Sequence, residues 1–197
     1  MPLTNGYHAV PAGKIADVQT FLQMTAPPAR LRPSPENDWT LEQLKKPDLP
    51  RYRQLLHRIG DDYLWAARLS MDDVELAGFL ADPLVEPYIL IAADRDAGIL
   101  ELDFRAEHEC ELSLFGVARP LIGHGAARWL LNRGIEIAWA NPIRRFWLHT
   151  CNLDHPNALA FYLRSGFVPF KREIEVYDDP RVSGLLPREA APHVPIL

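Results

Sequence analysis

Cysteine is scarce in this chain, and the two positions where it occurs exclude the usual structural uses of that residue. Cys110 and Cys151 are the only cysteines among 197 residues. Neither lies in a Cys-x-x-Cys motif or in a Cys/His spacing typical of metal ligands. The sequence therefore indicates neither a disulfide framework nor a zinc site, and we predict no bound metal. A reducing cytoplasm is the compartment that this cysteine content favours.

Long apolar runs and an excess of basic charge are lacking as well. No window reaches the roughly 18 apolar residues of a membrane span. The start, Met1–His8, has no basic stretch followed by an apolar one, so we expect neither secretion nor membrane insertion. The net charge is -5, whereas dedicated nucleic-acid binders usually carry a basic face. Nucleic acid is therefore not an expected ligand.

The composition that remains is typical of one folded domain. Hydrophobic residues make up 48% and charged residues 24% of the chain, which is the balance of an ordinary globular protein. A length of 197 residues suits one well-cored domain better than two. Prolines cluster at 27–50 and again at 180–195, and neither cluster has the character of a domain boundary.

Hydrophobic periodicity predicts mixed secondary structure before residue 88. The β-branched residues of Lys14–Met24 favour a strand. The stretch Trp39–Ile59 is typical of helical turns, which we expect to be broken at Pro47 and Pro50. A second, short helix is predicted next, with Ser70 as its capping residue.

Three strands are predicted close together after this region, the last two joined as an antiparallel hairpin: Tyr88–Ala93, Gly98–Arg105 and Cys110–Val117. If the hairpin register is regular, alternation places Leu112 and Leu114 on the face shared with the leucines of the preceding strand. The opposite face would then gather three carboxylates, those of Glu101, Asp103 and Glu111.

A glycine turn follows the third strand and leads directly into a helix. Gly123 and Gly125 lie in this turn, and a further strand is predicted at Arg145–Cys151. Strand, turn, helix and strand form a βαβ unit, in which free N–H groups and the positive end of the helix dipole suit a pyrophosphate. A purely structural turn of this kind is also common, so the glycines alone leave the ligand open.

The segment Ala158–Phe167 makes the pattern more specific. Taken together, the two segments resemble the GNAT superfamily of N-acetyltransferases. The turn at 123–127 is similar to that family's pyrophosphate loop, and Ala158–Phe167 is similar to its A-I-x-L-Y-x-x-x-G-F element. The resemblance covers about Tyr88 to Val176, and the order of strands and helices over this range also matches.

The resemblance implies a mixed α/β fold with a mostly antiparallel sheet, one parallel pair of strands around the βαβ unit, and helices on both faces. It implies an acetyl-coenzyme A core at 88–177, flanked by a divergent acceptor-side region at 1–87 and a Pro-rich tail at 178–197. The implied function is acetyl transfer from acetyl-coenzyme A to an amine, by direct attack in a ternary complex. A non-catalytic module that binds acyl-coenzyme A is the alternative, and homodimerisation is left open.

The same resemblance assigns the cofactor contacts. The pantetheine arm is expected to pair with the backbone at Phe115 and Val117. The remaining contacts are expected from the loop and from the start of the following helix: Ile122, Gly123, His124, Gly125, Ala126, Ala127 and Asn157. Three positions depart from the family pattern, because Ile122 replaces Arg or Gln, Ala127 replaces a third Gly, and His155 replaces Asn. None of these changes removes a backbone donor.

Two residues are candidates for proton transfer. Tyr162 matches the family tyrosine that often protonates the departing thiolate, although a core aromatic would give the same pattern. Glu111 matches a glutamate that serves as general base in several members; a solvated polar face, a neighbouring acid or water are the alternatives. A covalent route through Cys151 and His149 is less favoured, since residues two apart on one strand lie ~7 Å apart.

Overall fold

One seven-stranded sheet organises residues 3–197, the part of the chain that the computed structural model describes. The strands are β1 (Lys14–Met24), β2 (Thr40–Gln43), β3 (Val85–Ala92), β4 (Arg95–Asp103), β5 (Glu109–Val117), β6 (Arg145–Cys151) and β7 (Val168–Asp178). The helices are α1 (Leu49–Gly60), α2 (Asp73–Ala81), α3 (Ala126–Ala140) and α4 (Ala158–Arg164). The strand order is β2-β3-β4-β5-β6-β1-β7.

The predicted fold class is confirmed. Only β5 and β6 pair in parallel within this sheet, and the other neighbouring strands pair antiparallel. Strands β1 and β6 have the bounds that the sequence predicts. No helix within residues 3–197 combines the length and the apolarity needed to cross a membrane. Met1 and Pro2, the first residues of the segment Met1–His8 considered in the sequence analysis, lie outside the described residues.

The region predicted as helical turns over Trp39–Ile59 is divided differently in the structure. Its first part is the strand β2, which pairs with β3. Helix α1 begins only at Leu49, and Pro50 lies in its first turn instead of breaking it. A proline is tolerated there because the first N–H groups of a helix have no partner inside the helix.

The predicted cap of the second helix is also wrong by two residues. Asp72 caps α2, and its carboxylate accepts hydrogen bonds from the N–H groups of Val74 and Glu75. The Glu75 side chain in turn accepts from the Asp72 N–H at 3.0 Å. This reciprocal capping box satisfies more of the helix's free donors than Ser70 could from its position.

A β-bulge separates two leucines that alternation alone would place together. The β4–β5 register shifts between Glu101 and Leu102, which leaves Ser113 as the extra residue. Leu112 consequently packs in the core beneath α3, whereas Leu114 packs against the core on the opposite face. The Ser113 hydroxyl donates to the Glu101 carboxylate at 2.7 Å.

Hydrophobic cores cover both faces of the sheet, which confirms the prediction of helices on both sides. One core lies beneath α3 and α4 and includes Leu100, Leu130 and Phe146. The other lies beneath α1 and α2 and includes Tyr52 and Ile99. Since aliphatic and aromatic side chains of this size contribute about 1.5–3 kcal/mol each when fully buried, the two cores account for most of the fold's stabilisation.

The tail after β7 folds back onto the second core. Arg181 is buried and pairs with the buried Asp179 at 2.7 Å. The same guanidinium donates to three carbonyl groups of the tail, those of Ala190, Ala191 and Val194. A buried arginine that satisfies this many acceptors fixes the path of the whole segment.

Candidate active site

A gap between the two parallel strands is the central feature of the candidate site. Pairing of β5 with β6 ends at Glu111 and Trp147, although β5 continues to Val117. Just beyond the end of β5, the Ala118 N–H donates to the Ala97 carbonyl of β4. Because successive backbone groups alternate in direction, those of Phe115 and Val117 point away from β4 and into the gap.

The glycine loop lies at the open end of this gap. Gly123 and Gly125 have φ angles of 84° and 86°, a left-handed conformation that favours glycine. Gly125 is the N-cap of α3 and offers no side-chain cap, so the first N–H groups of the helix are not engaged by it. A Cβ at Gly125 would also lie 2.6 Å from Pro35 Cδ, whereas Gly123 faces open space.

Two charged side chains near the loop have partners within the protein. Arg119 is paired with Asp62 at 2.6 Å. Arg128 donates to the Ser165 hydroxyl at 2.7 Å. His124 is exposed, and Ile122 is also exposed. The loop therefore offers an anion chiefly its backbone donors and the end of the helix dipole.

Tyr162 lies in an aromatic cluster beside the gap. Its ring centroid is 6.1 Å from that of Phe115 on β5 and 6.0 Å from that of Phe167. Burial raises the pKa of the Tyr162 hydroxyl above its usual range. The structure thus brings Tyr162 next to the strand that borders the gap, while its role as a proton donor stays a prediction.

The three carboxylates predicted to share a face do so, but two of them are engaged elsewhere. Glu101 is fully buried and accepts hydrogen bonds from Tyr52, Ser113 and Arg68, the last at 2.8 Å. Asp103 is paired with Arg105 at 2.6 Å. These contacts satisfy both acids, since a buried carboxylate is tolerated only when it is paired and hydrogen-bonded.

Glu111 is the carboxylate that stays free. It lies opposite Asp103 in the register, and no arginine or lysine of residues 3–197 forms a salt bridge with it. Burial, followed by the negative charge of Asp103, raises the pKa of Glu111 to about 7. A carboxylate with a pKa near neutrality is suited to accept a proton from a substrate.

A chain of hydrogen bonds fixes the orientation of the neighbouring His149. The Gln19 amide N–H donates to Glu175 at 2.9 Å, which leaves its oxygen facing His149 Nδ1 at 3.0 Å. Because an amide oxygen only accepts, Nδ1 must carry the proton and Nε2 is a bare acceptor. Nε2 lies 3.8 Å from the Glu111 carboxylate. Burial lowers the pKa of His149, which favours this neutral form.

The sequence indicates the strand that carries His149 but gives no sign of these partners. Gln19 is separated from His149 by 130 residues, and the two meet only because β1 pairs with β6. Parity along β6 could have shown that His149 and Trp147 share one face. No local pattern could have placed β1 beside them.

Cys151 is not a partner of His149. Burial raises the pKa of its thiol to about 12, and the sulfur instead accepts a hydrogen bond from the Leu153 N–H at 3.4 Å. A thiol of this kind is a poor nucleophile at neutral pH. Within the described residues, no group of three or more His, Cys, Asp or Glu side chains has a geometry that could hold a metal ion.

Comparison with known proteins agrees with this arrangement. Residues 31–167 match the model of the acetyltransferase (GNAT) family. The match starts well before Tyr88, so the region between β1 and β3 also carries family features. None of the curated proteins matches the chain in sequence.

Several solved structures share the fold at low sequence identity. A GCN5-related N-acetyltransferase from Sphaerobacter thermophilus has a TM-score of 0.60 and 18% identity; the match covers 88% of this chain and 53% of that one. A functionally unknown conserved protein from Staphylococcus epidermidis has a TM-score of 0.54 and 13% identity, with coverages of 85% and 63%. An IAA acetyltransferase from Bacillus cereus has a TM-score of 0.52 and 20% identity, with coverages of 68% and 79%. The chain thus spans only about half to two thirds of the first two proteins.

Proposed function

Because this chain belongs to the acetyltransferase (GNAT) family, we propose that it transfers an acetyl group from acetyl-coenzyme A to an amine by direct attack in a ternary complex. The observation that carries the proposal is the gap between β5 and β6, which ends on the glycine loop. Backbone donors and acceptors line this gap, and the positive end of α3 lies at its mouth.

The residues around the gap fit acetyl-coenzyme A. The free backbone groups of Phe115 and Val117 suit the amides of a pantetheine arm. The N–H groups of Ile122 and His124 donate to carbonyls of the preceding turn, so the remaining N–H groups of 123–127 are the ones that suit a pyrophosphate. Asn157 begins α4 without using its side chain as a cap, which leaves the amide free for a ligand. When bound, acetyl-coenzyme A supplies an activated thioester whose thiol is a good leaving group.

Glu111 is the proposed general base. An acceptor amine with a pKa near 10 arrives protonated and must lose that proton before it attacks. A carboxylate with a pKa of about 7 accepts the proton while remaining largely ionised above neutral pH. The negative charge on this face also favours a cationic acceptor.

Tyr162 is the proposed general acid. It packs against Phe115, whose backbone borders the gap, and its raised pKa keeps the hydroxyl protonated at neutral pH. A protonated hydroxyl beside the gap can donate to a departing thiolate.

Acetyl transfer is tested by mixing the protein with acetyl-coenzyme A and a panel of primary amines, with release of free thiol as the readout. We expect amine-dependent thiol release and saturable cofactor binding by calorimetry. Binding without thiol release for any amine would favour the non-catalytic acyl-coenzyme A module instead. Absence of binding would contradict both functions.

A further inference from the structure

The indole of Trp65 lies across the gap between β5 and β6, on the face of the sheet that packs against α1. One edge of the ring lies next to Gly116 of β5, where an added Cβ would be 2.9 Å from Trp65 Cη2. At the other edge, Nε1 donates to the Asp154 carboxylate at 3.0 Å, just after the end of β6. The ring thus bridges two strands that do not pair with each other at this level.

Asp154 is held at the end of β6 by hydrogen bonds of its own. Its Oδ2 accepts from the Thr150 hydroxyl at 2.7 Å and from the Cys151 N–H at 3.0 Å, while Oδ1 accepts from Trp65. A carboxylate that accepts three hydrogen bonds in this way has little freedom to move. The far edge of the indole is therefore fixed relative to β6.

The backbone around Trp65 is shaped to hold the ring in this position. Leu64 has a φ of 58°, a left-handed conformation that is uncommon for residues other than glycine. A Cβ at Gly60 would lie 2.7 Å from Trp65 Cβ, so the chain lacks a side chain both at Gly60 and at Gly116, where the ring approaches closely. Backbone strain and omitted side chains cost stability, and they are concentrated where a site has to be defined closely.

The other sides of the gap are already occupied. On the opposite face of the sheet, the rings of Phe161 and Tyr162 pack against Phe115, with ring centroids 6.0 and 6.1 Å away. At its deep end the gap closes where Glu111 pairs with Trp147. The space beside Glu111 is needed by the attacking amine. An acyl chain longer than acetyl would therefore have to extend beneath the indole of Trp65.

We propose that Trp65 is a specificity residue that restricts the acyl donor to acetyl-coenzyme A, because its indole closes the side of the gap on which a longer chain would lie. The inference rests on the proposed function, which places the pantetheine arm on Phe115 and Val117, the two neighbours of Gly116. Each added methylene has to displace the ring from its contacts with both strands. In a closed apolar site, a difference of one methylene typically changes kcat/KM by about 10–200-fold.

The experiment compares acetyl-, butanoyl- and hexanoyl-coenzyme A as donors to one primary amine, with free thiol as the readout, and measures the affinities of the same three compounds by calorimetry. Trp65→Ala removes the ring, whereas Trp65→Phe keeps a ring over Gly116 without the bond to Asp154. Trp139→Ala is the matched control, since it removes another partly buried indole, near the end of α3. Melting temperatures verify that each variant is folded, and Trp65→Leu replaces the alanine variant if that variant is unfolded.

In the native protein, kcat/KM should fall at least about 100-fold from acetyl- to hexanoyl-coenzyme A. Trp65→Ala should reduce this ratio at least about tenfold, because the chain can then occupy the space of the indole. Trp65→Phe should retain most of the ratio, and Trp139→Ala should leave it unchanged. A merely structural role of Trp65 would lower activity with all three donors alike and would not change the ratio.

An unchanged ratio in the Trp65 variant that lacks the ring would overturn the inference and leave acetyl transfer intact. Equal use of all three donors by the native protein would do the same. If no donor releases thiol, the affinities of the three compounds decide the inference through the same ratios. If none of the three compounds binds, the proposed function fails and this inference fails with it.

Discussion

Glu111 is a residue whose ionisation should be visible in the stability of the whole protein. Its pKa in the fold is about 7, above the ordinary value of 4.5. The folded state therefore binds more protons than the unfolded state between these values, and the free energy of unfolding falls as pH rises through that interval. Glu111→Gln should remove this loss, so that the variant gains roughly 3 kcal/mol of stability relative to the native protein between pH 4 and pH 8.

Urea unfolding at the two pH values measures this effect. Glu189→Gln, at an exposed position of the tail, is the control and should show no comparable change between pH 4 and pH 8. An equal effect of Glu111→Gln at both pH values would mean that the carboxylate is not held in an unfavourable environment.

The same substitution tests the catalytic role of Glu111. Turnover of Glu111→Gln should fall at neutral pH and recover partly at higher pH, because more of the amine is then already neutral. Cofactor affinity should be unchanged. An increase confined to the acceptor KM would show that the carboxylate holds the cation without taking its proton.

Tyr162→Phe separates the proposed acid from a core aromatic. The substitution keeps the packing against Phe115 and Phe167 and removes only the hydroxyl. Turnover should fall about 10²-fold with little change in cofactor affinity, which is the usual size of general acid catalysis. Native turnover with a good acceptor would assign Tyr162 to packing alone.

Local patterns explain which site residues the sequence could identify. The loop glycines and Tyr162 lie in short motifs, and Glu111 follows from parity along one strand, so all of them could be named without a structure. The tautomer of His149 could not be predicted from the sequence, because it depends on Gln19 and Glu175 of two other strands. Likewise, only the structure shows that Arg68 and Arg105 engage the acids on either side of Glu111 on this face.

At the scale of elements, the segment 25–39, which connects β1 to β2, is in direct contact with the glycine loop. Gly125 and Gly123 have nearly the same φ, but only at Gly125 would a Cβ meet Pro35. Gly123→Ala should therefore cost about 1 kcal/mol of backbone strain. Gly125→Ala should cost more, weaken cofactor affinity, and be partly restored by Pro35→Gly. Denaturant unfolding measures the stability and calorimetry measures the cofactor affinity. Equal losses of stability for the two alanine variants would mean that the segment 25–39 moves away from the added Cβ at no cost in free energy.

Most of the strand and helix positions could be predicted from periodicity. The two features that periodicity does not predict, strand β2 and the bulge at Ser113, share one cause. Strand β2 is only four residues long and gains its structure by pairing with β3, so its own sequence carries little signal. The bulge at Ser113 is stabilised by contact with Glu101 on β4. Both features depend on a neighbouring strand, and a pattern read along one strand cannot show them.

At the scale of the whole molecule, the first strand lies between two strands from the end of the chain and so completes the sheet. β1 pairs with β6 on one side and with β7 on the other. The sequence predicts β1 as a strand but not its neighbours, because pairing over this separation is decided by the assembled core. Strands β1 and β2, which precede the proposed cofactor core, are consequently built into the same sheet as that core.

The tail is the second connection between the ends of the chain. The Asp179 N–H donates to the Gly13 carbonyl just before β1, and the Gly13 N–H donates to the Leu197 carbonyl. Arg181 adds to these contacts, because it forms an ion pair with Asp179 and donates hydrogen bonds to three tail carbonyls. The tail thus stabilises the edge of the sheet where β1 and β7 meet.

Arg181→Met tests whether this buried pair holds the molecule together. Removing one partner leaves the Asp179 carboxylate buried and uncompensated, which typically costs about 3–5 kcal/mol. We expect a loss of this size in urea unfolding, together with proteolytic cleavage within 179–197 under native conditions. The double variant Arg181→Met with Asp179→Leu removes the stranded charge and should recover part of the stability. Equal stability of the single and double variants would show that the hydrogen bonds to the tail carbonyls, and not the ion pair, carry the stabilisation.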